Sequence, residues 1–227
     1  MKSALALSTL LSTVAAQAAS LAFWDFNNDT LIPSTGAGTL APIGGVSSFF
    51  GFGNGPSDPN GPPDRNWGFS SLPVQGTASG TAGIEGAVST AGYQSIQLSF
   101  DIKAQFSASK YYEVLYSVDN GGAWSSAGTF GVAAEDVWQT QTVDLSALDA
   151  AVNNNAGFQF QLVAVFKPGT DQYAGMNDLP GSYGTFGPVT DAVNVTGLLI
   201  PEPGSWALLS LCALGAVGYR LRRRGEA

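Results

Sequence analysis

The chain of 227 residues contains no histidine. That excludes a Ser-His-Asp triad, a His-ligated metal and an imidazole pH switch. Its one cysteine, Cys212, leaves no intramolecular disulfide to form. Charged residues make up 11% of the chain, against about 25% in ordinary globular domains. So low a supply of Glu, Lys and Arg excludes a coiled coil or long-helix protein. Basic residues are scarcest in the middle. Between 19 and 200 only Arg65, Lys103, Lys110 and Lys167 face fifteen acidic residues, a net charge of −11. Nucleic-acid binding needs a basic footprint and is excluded. Attachment to anionic lipid is equally disfavoured, whereas cation binding is permitted. No G-x-S-x-G nucleophile motif occurs, nor any repeat of 20–50 residues.

What is abundant is glycine, 29 residues, together with Ser, Thr and Asn, a composition of many turns. The 182 residues from 19 to 200 suffice to bury a core as one all-β domain.

The two ends read as addresses. Lys2 is followed by an apolar run from Ala4 to Ala16, and Ala16-Gln17-Ala18 is a small-x-small cleavage site. This layout predicts a signal peptide over 1–18, cleaved after Ala18. At the other end Pro201-Glu202-Pro203 precedes an uncharged stretch, 204–219, and then Arg220, Arg222, Arg223 and Arg224. Sixteen residues span roughly 24 Å as helix, short of a ~30 Å hydrocarbon core. The arginines act as a cytoplasmic stop signal, and Trp206 and Tyr219 stand where an interfacial aromatic belt puts them. The prediction is a short transmembrane helix. Cys212 lies within it and reads as a small apolar residue.

The triplet, short apolar helix and Arg cluster together resemble the PEP-CTERM sorting signal of exported bacterial proteins. The resemblance covers about residues 200–224. It implies processing by an exosortase-like enzyme and membrane anchoring before removal of the tail. It further implies delivery to the cell surface or extracellular matrix of a bacterium that makes exopolysaccharide. Pro201, Glu202 and Pro203 would be the recognition triplet.

The middle reads as strands. In Gln94–Phe106, Ile96, Leu98, Phe100, Ile102, Ala104 and Phe106 alternate with polar residues. Tyr112, Val114, Tyr116 and Val118 alternate next, and Asp119-Asn-Gly-Gly122 predicts a hairpin turn into Trp124. Phe158, Phe160, Leu162, Ala164 and Phe166 form a third alternating run; 21–26 and 191–196 are shorter candidates. Only 145–151 looks helical. The Gly-, Pro- and Asp-rich segment 51–66 reads as a surface excursion. The fold expected is all-β, an antiparallel jelly-roll-like β-sandwich over 19–200 with first and last strands paired, flanked by the signal helix and the sorting signal over 201–227.

This middle resembles the jelly-roll domains common in PEP-CTERM proteins. The matching pieces are Trp24-Asp-Phe-Asn27, 92–100, 116–124, 143–146 and 191–197, where Ala192 replaces a usual Asn and Gln161 stands where Arg is common. The resemblance implies a non-catalytic sandwich of unassigned ligand.

Candidate sites follow. Asp25-Phe-Asn27-Asn-Asp29 is D-x-N-x-D, but Thr30 and Gly36 replace the Gly and Glu an EF-hand requires. If first and last strands pair, Asp25, Asn27, Asp29 and Asp191 become oxygen ligands for a structural Ca²⁺; capping and Asx-turn roles are the competing reading. Trp67, Phe69, Trp124 and Trp138 offer flat faces for sugar stacking, against burial in the core. Trp138 and Trp124 are the least core-like and are the candidate ligand-binding residues. The function expected is a non-enzymatic exported surface or matrix protein associated with exopolysaccharide. The alternative is a surface carbohydrate-binding module, and the third reading a secreted hydrolase with two carboxylates about 5–10 Å apart.

Overall fold

The structure is a computed structural model describing residues 17–59 and 64–201. The expected leader through Ala16, and Glu202, Pro203, Cys212 and the arginine cluster, lie outside the described residues. Ala18 and Pro201 are exposed at the two described ends. Among the described residues no helix is long and apolar enough to cross a membrane.

Among the described residues there are twelve strands. They are β1 (Ala19–Trp24), β2 (Thr35–Gly36), β3 (Thr39–Ile43), β4 (Ser47–Phe52), β5 (Arg65–Ser70), β6 (Gly83–Ala87), β7 (Tyr93–Lys103), β8 (Tyr111–Ser117), β9 (Ser125–Gly131), β10 (Gln139–Asp144), β11 (Gln159–Ala164) and β12 (Phe186–Leu199). They form two antiparallel sheets. One runs β10-β7-β12-β1-β2, with β5 also on β12 and β4 on β5; the other runs β3-β6-β11-β8-β9. The last strand pairs with the first, from Ala19↔Gly197 to Trp24↔Val193. Near its start it pairs instead with β5, at Val189↔Gly68 and Thr190↔Trp67. One fourteen-residue strand thus holds two shorter ones on the same edge.

Period-two alternation builds the core because one face of each sheet must leave water. Ile96, Leu98, Phe100 and Ile102 of β7 face Tyr112, Val114 and Tyr116 of β8 and Phe160 and Leu162 of β11 within one buried cluster. Trp24 meets Phe160 edge-on with ring centroids 6.4 Å apart, and Phe130 bridges Phe100 (5.9 Å) and Tyr112 (6.1 Å). The strand expected over 94–106 ends at Lys103, and Phe106 is 65% exposed rather than facing the core. The helical segment is a four-residue α1 (Leu145–Leu148) followed by a 3₁₀ turn (Ala150–Val152). Carboxylates of Asp144 and Asp149 cap them, accepting from the Ala147 (3.1 Å) and Ala151 (2.8 Å) backbone N–H groups.

The β8–β9 hairpin has the turn chemistry its sequence predicts. Asn120 (φ 58°) and Gly121 (φ 81°) take left-handed backbone. Asp119 accepts from Ser117 Oγ (2.7 Å) and the Ala123 N–H (2.9 Å).

Candidate metal centre

The centre is built where the last strand breaks step. Along β7 and β12, Asp191 opposes Asp101 and Asn194 opposes Ser99, three residues spanning two. The extra residue, Ala192, takes φ 47°, a left-handed conformation costly for alanine. The bulge brings the Asp191 side chain back onto its own strand: Oδ1 accepts from the Ala192 N–H at 2.7 Å. Oδ2 accepts from the Gly55 N–H, also at 2.7 Å. Asp101, opposite, is fully buried and accepts from Ser57 N–H (2.6 Å), Ser57 Oγ (2.9 Å) and Thr140 Oγ1 (2.6 Å).

These bonds draw the β4–β5 connection down onto the sheet, on the face opposite Leu98, Phe100 and Ile102. Gly55 permits the approach, since a Cβ there would stand 2.4 Å from Asp101 Oδ2. The segment 51–66 is therefore a surface excursion only in part: Gly53, Asn54, Pro56, Ser57 and Pro59 are exposed as its composition predicts. Its ends belong to β4 and β5, and Gly55, Asp58 and Asp64 are buried. Two carboxylates on strands, each hungry for donors, outweigh the solvation the loop gives up.

The folded loop brings Asp58 and Asp64 against Asp191. One carboxylate oxygen from each lies within 4.8 Å of the others. Asp64 is only 7% exposed, and neither of its water-screened oxygens makes a well-formed hydrogen bond, although the Arg65 N–H and the Asp58 carboxyl stand close enough to act on it. The middle's four cations are engaged elsewhere: Arg65 with Asp29, Lys103 with Asp136, and Lys110 and Lys167 with Asp178. Burial, then the charge of Asp58, pushes the Asp64 carboxyl up to about 6. Burial pushes Asp191 up to about 8, against the pull of the Gly55 and Ala192 N–H groups; the charges of Asp58 and Asp64 add to the rise. Three carboxylates held so close require either shared protons or a cation. A donor set of oxygens suits a hard divalent ion. The triad can hold a metal ion.

Of the four ligands expected from the sequence, Asp191 belongs to the triad. Asp25 is buried beside it: its Oδ1 accepts from the Asn27 N–H (3.2 Å) in an Asx turn, and its charge adds to the upward push on Asp64. Asn27 turns its amide nitrogen to Asp58 Oδ2 (2.9 Å), while its Oδ1 accepts from the Arg65 N–H (2.9 Å). Asp29 stands apart, half exposed and paired with Arg65 Nε at 2.5 Å. The sequence reading missed Asp58 and Asp64. The signal available was an acid on each side of a Gly-Pro segment that had to return to β5.

The aromatic candidates separate. Trp67 and Phe69 are core residues, 0% and 1% exposed. Trp124 and Trp138 are half-buried and lie on different sheets, one entering β9 and the other entering β10. The Lys103 ammonium stands over the Trp138 ring at 5.3 Å.

The raised carboxyls make the stability of the metal-free protein depend on pH. A carboxyl whose folded pKa lies above its unfolded value of 3.8 keeps its proton longer in the folded state. The contribution of these two carboxyls to folding is therefore full below about pH 3.8 and is lost as pH rises, through about 6 for Asp64 and about 8 for Asp191. In excess EDTA the thermal midpoint should fall by roughly 5 °C or more between pH 4.5 and pH 8.5. Differential scanning calorimetry reads it, and a midpoint rising over that window would contradict the cluster.

Among known proteins, similarity is found at the C-terminal end and, at low level, over the sandwich. No curated protein matches the sequence. Several solved structures align with it at low identity. The CBM22-1 and GH10 modules of endo-1,4-beta-D-xylanase 10B from Clostridium thermocellum, complexed with xylohexaose, align at 10% identity and a TM-score of 0.46. That alignment covers 78% of this chain and 28% of that one. A carbohydrate-binding module of the β-sandwich superfamily aligns at 14% identity and 0.41, over 76% and 60% of the two chains. The K1 cleaved adhesin domain of Lys-gingipain from Porphyromonas gingivalis aligns at 15% and 0.38, over 70% and 98%. This chain thus spans well under two thirds of the first structure and somewhat under two thirds of the second. Residues 199–224 match the PEP-CTERM protein-sorting motif. The chain carries the sorting signal of an exported surface protein, placed directly after β12.

Proposed function

We propose that this protein is a non-catalytic module of the bacterial cell surface or extracellular matrix, associated with exopolysaccharide, whose sandwich is clamped by a structural Ca²⁺. The observation that carries the clamp is Asp64, buried with no well-formed hydrogen bond to either oxygen and set between two further carboxylates. Ca²⁺ takes six to eight oxygen ligands at about 2.3–2.6 Å, in geometry loose enough for a strand and a loop to share. Asp191 would tie β12, and Asp58 and Asp64 would tie both arms of the β4–β5 loop. Neutralising their charge offsets the cost of burying them. Outside the cell millimolar calcium is an ordinary condition, and sites of modest affinity fill.

A non-catalytic reading fits the same geometry. An acid catalyst must touch its substrate. The most perturbed carboxyl, Asp191, is fully buried and held by two backbone donors. Its shift expresses packing rather than a poised proton.

The sorting signal supports export, tail removal by an exosortase-like enzyme, and release to the matrix. Fractionation of the native host tests this. The wild-type chain should be recovered outside the cell without residues 1–18 and without its tail. A Pro201→Ala/Glu202→Ala/Pro203→Ala variant should accumulate in the membrane with the tail attached. Wild-type protein found in the cytoplasm with residues 1–18 intact would overturn the proposal.

A further inference from the structure

A second feature lies on the outer face of the seven-stranded sheet, on the strands that flank the metal loop. The ends of β4, β7 and β12 enclose a groove of about 400 Å³. Four phenyl rings line it and remain in water: Phe49 (49% exposed), Phe52 (82%), Phe106 (65%) and Phe186 (57%). One large ring exposed on a surface is ordinary, but four around one groove is a patch that needs a partner.

The polar lining narrows the partner. Asn66 is 2% exposed, and its amide nitrogen donates to the Phe52 and Gly53 carbonyls, both at 2.9 Å. Those two bonds fix the orientation of the amide. Its Oδ1 has no donor and lies beside Gly51, where a Cβ would stand 2.6 Å away. The groove therefore offers a buried acceptor that lacks a hydroxyl or amide donor. The lining includes one charged residue, Lys103, whose ammonium is paired with Asp136 at 3.0 Å. The groove is electroneutral on a domain of net charge −11, so an anionic ligand gains nothing there and is repelled at long range.

Flat apolar faces, an unfilled acceptor and no net charge match one chemistry. We infer that the groove is a binding site for a neutral oligosaccharide. Its hexose C–H faces stack on the phenyl rings, and a hydroxyl donates to Asn66 Oδ1 once the sugar displaces the groups that screen this oxygen from water. This rests on the reading of the chain as an exopolysaccharide-associated module, but places the contact at these phenylalanines and not at Trp124 or Trp138.

The test is isothermal titration of the purified protein, in constant millimolar calcium, with neutral hexasaccharides of glucose, mannose and galactose and with a hexasaccharide of uronic acids. Saturable binding of at least one neutral sugar is expected, weakened tenfold or more in Phe106→Ala and in Phe186→Ala. Both rings are more than half exposed, so the variants keep the fold, which the thermal midpoint checks. Trp124→Ala should bind as wild type. No binding of any neutral sugar, binding of the uronate alone, or binding insensitive to both Phe variants would overturn the inference. So would a wild-type dimer that dissociates in Phe106→Ala, which would make the groove a contact between copies. If the sugar test fails while the fractionation result holds, the groove assignment falls and the exported-module reading stands.

Discussion

Adding calcium to the EDTA-treated protein should raise its thermal midpoint by about 5–10 °C. A ligand that binds only the folded state at a hundred times its Kd contributes about 2.7 kcal/mol. For a domain of this size each kcal/mol moves the midpoint by roughly 2–4 °C. Asp64→Asn should give a result of opposite sign in the two conditions. Without calcium the variant should melt higher than wild type, because one of three crowded, buried charges is gone. With calcium it should melt lower than wild type, because the shift is lost. Asp29→Asn should respond to calcium as wild type does, since its partner is Arg65 at the surface. A purely structural role for Asp64 would lower stability in both conditions alike. Scanning calorimetry of the three proteins, with and without calcium, separates these outcomes.

The second large effect belongs to the core. Trp24→Ala should cost about 3–5 kcal/mol, the range for deleting a large buried aromatic. Trp24 is fully buried on β1, its Nε1 donates to the Leu31 carbonyl at 2.9 Å, and its ring crosses to Phe160 on the other sheet. Removing it opens a cavity between the sheets and leaves the Leu31 carbonyl without that donor. The midpoint should fall by roughly 6–20 °C. Phe106→Ala, of the same chemical kind but 65% exposed, should change stability by no more than about 0.5 kcal/mol. Urea denaturation of both variants checks the contrast. Equal losses would mean that Trp24 is not the inter-sheet contact described.

Much of this architecture was readable from alternation. Ile96, Leu98, Phe100 and Ile102, then Tyr112, Val114 and Tyr116, then Phe158, Phe160 and Leu162, each declare one buried face. The pairing of first and last strands followed from the fold class. What alternation could not show was β12 beyond 191–196. Its start, from Phe186 to Thr190, has an exposed Phe and a buried Thr, so the period fails there. Nor could it show β3 and β4, short strands in Gly-rich sequence whose exposed residues follow no clean period.

The metal centre was half legible for a related reason. Asp191 stood out because it lies on a strand expected beside the first. Asp58 and Asp64 lie in a segment whose composition argues for solvent. They are buried only because Gly55 and Ser57 donate to Asp191 and Asp101, partners 136 and 44 residues away in sequence. Such long-range donors leave no local trace. The groove was hidden likewise: its rings come from β4, from β12 and from the segment after β7, and Phe106 read as a core residue.

Equilibrium dialysis against radioactive calcium at neutral pH counts the ions at the metal centre. One calcium ion should be bound per chain in the wild type and in Asp29→Asn, and none in Asp64→Asn or Asp191→Asn. No saturable calcium in the wild type, or one ion per chain retained in Asp64→Asn, would contradict the calcium clamp.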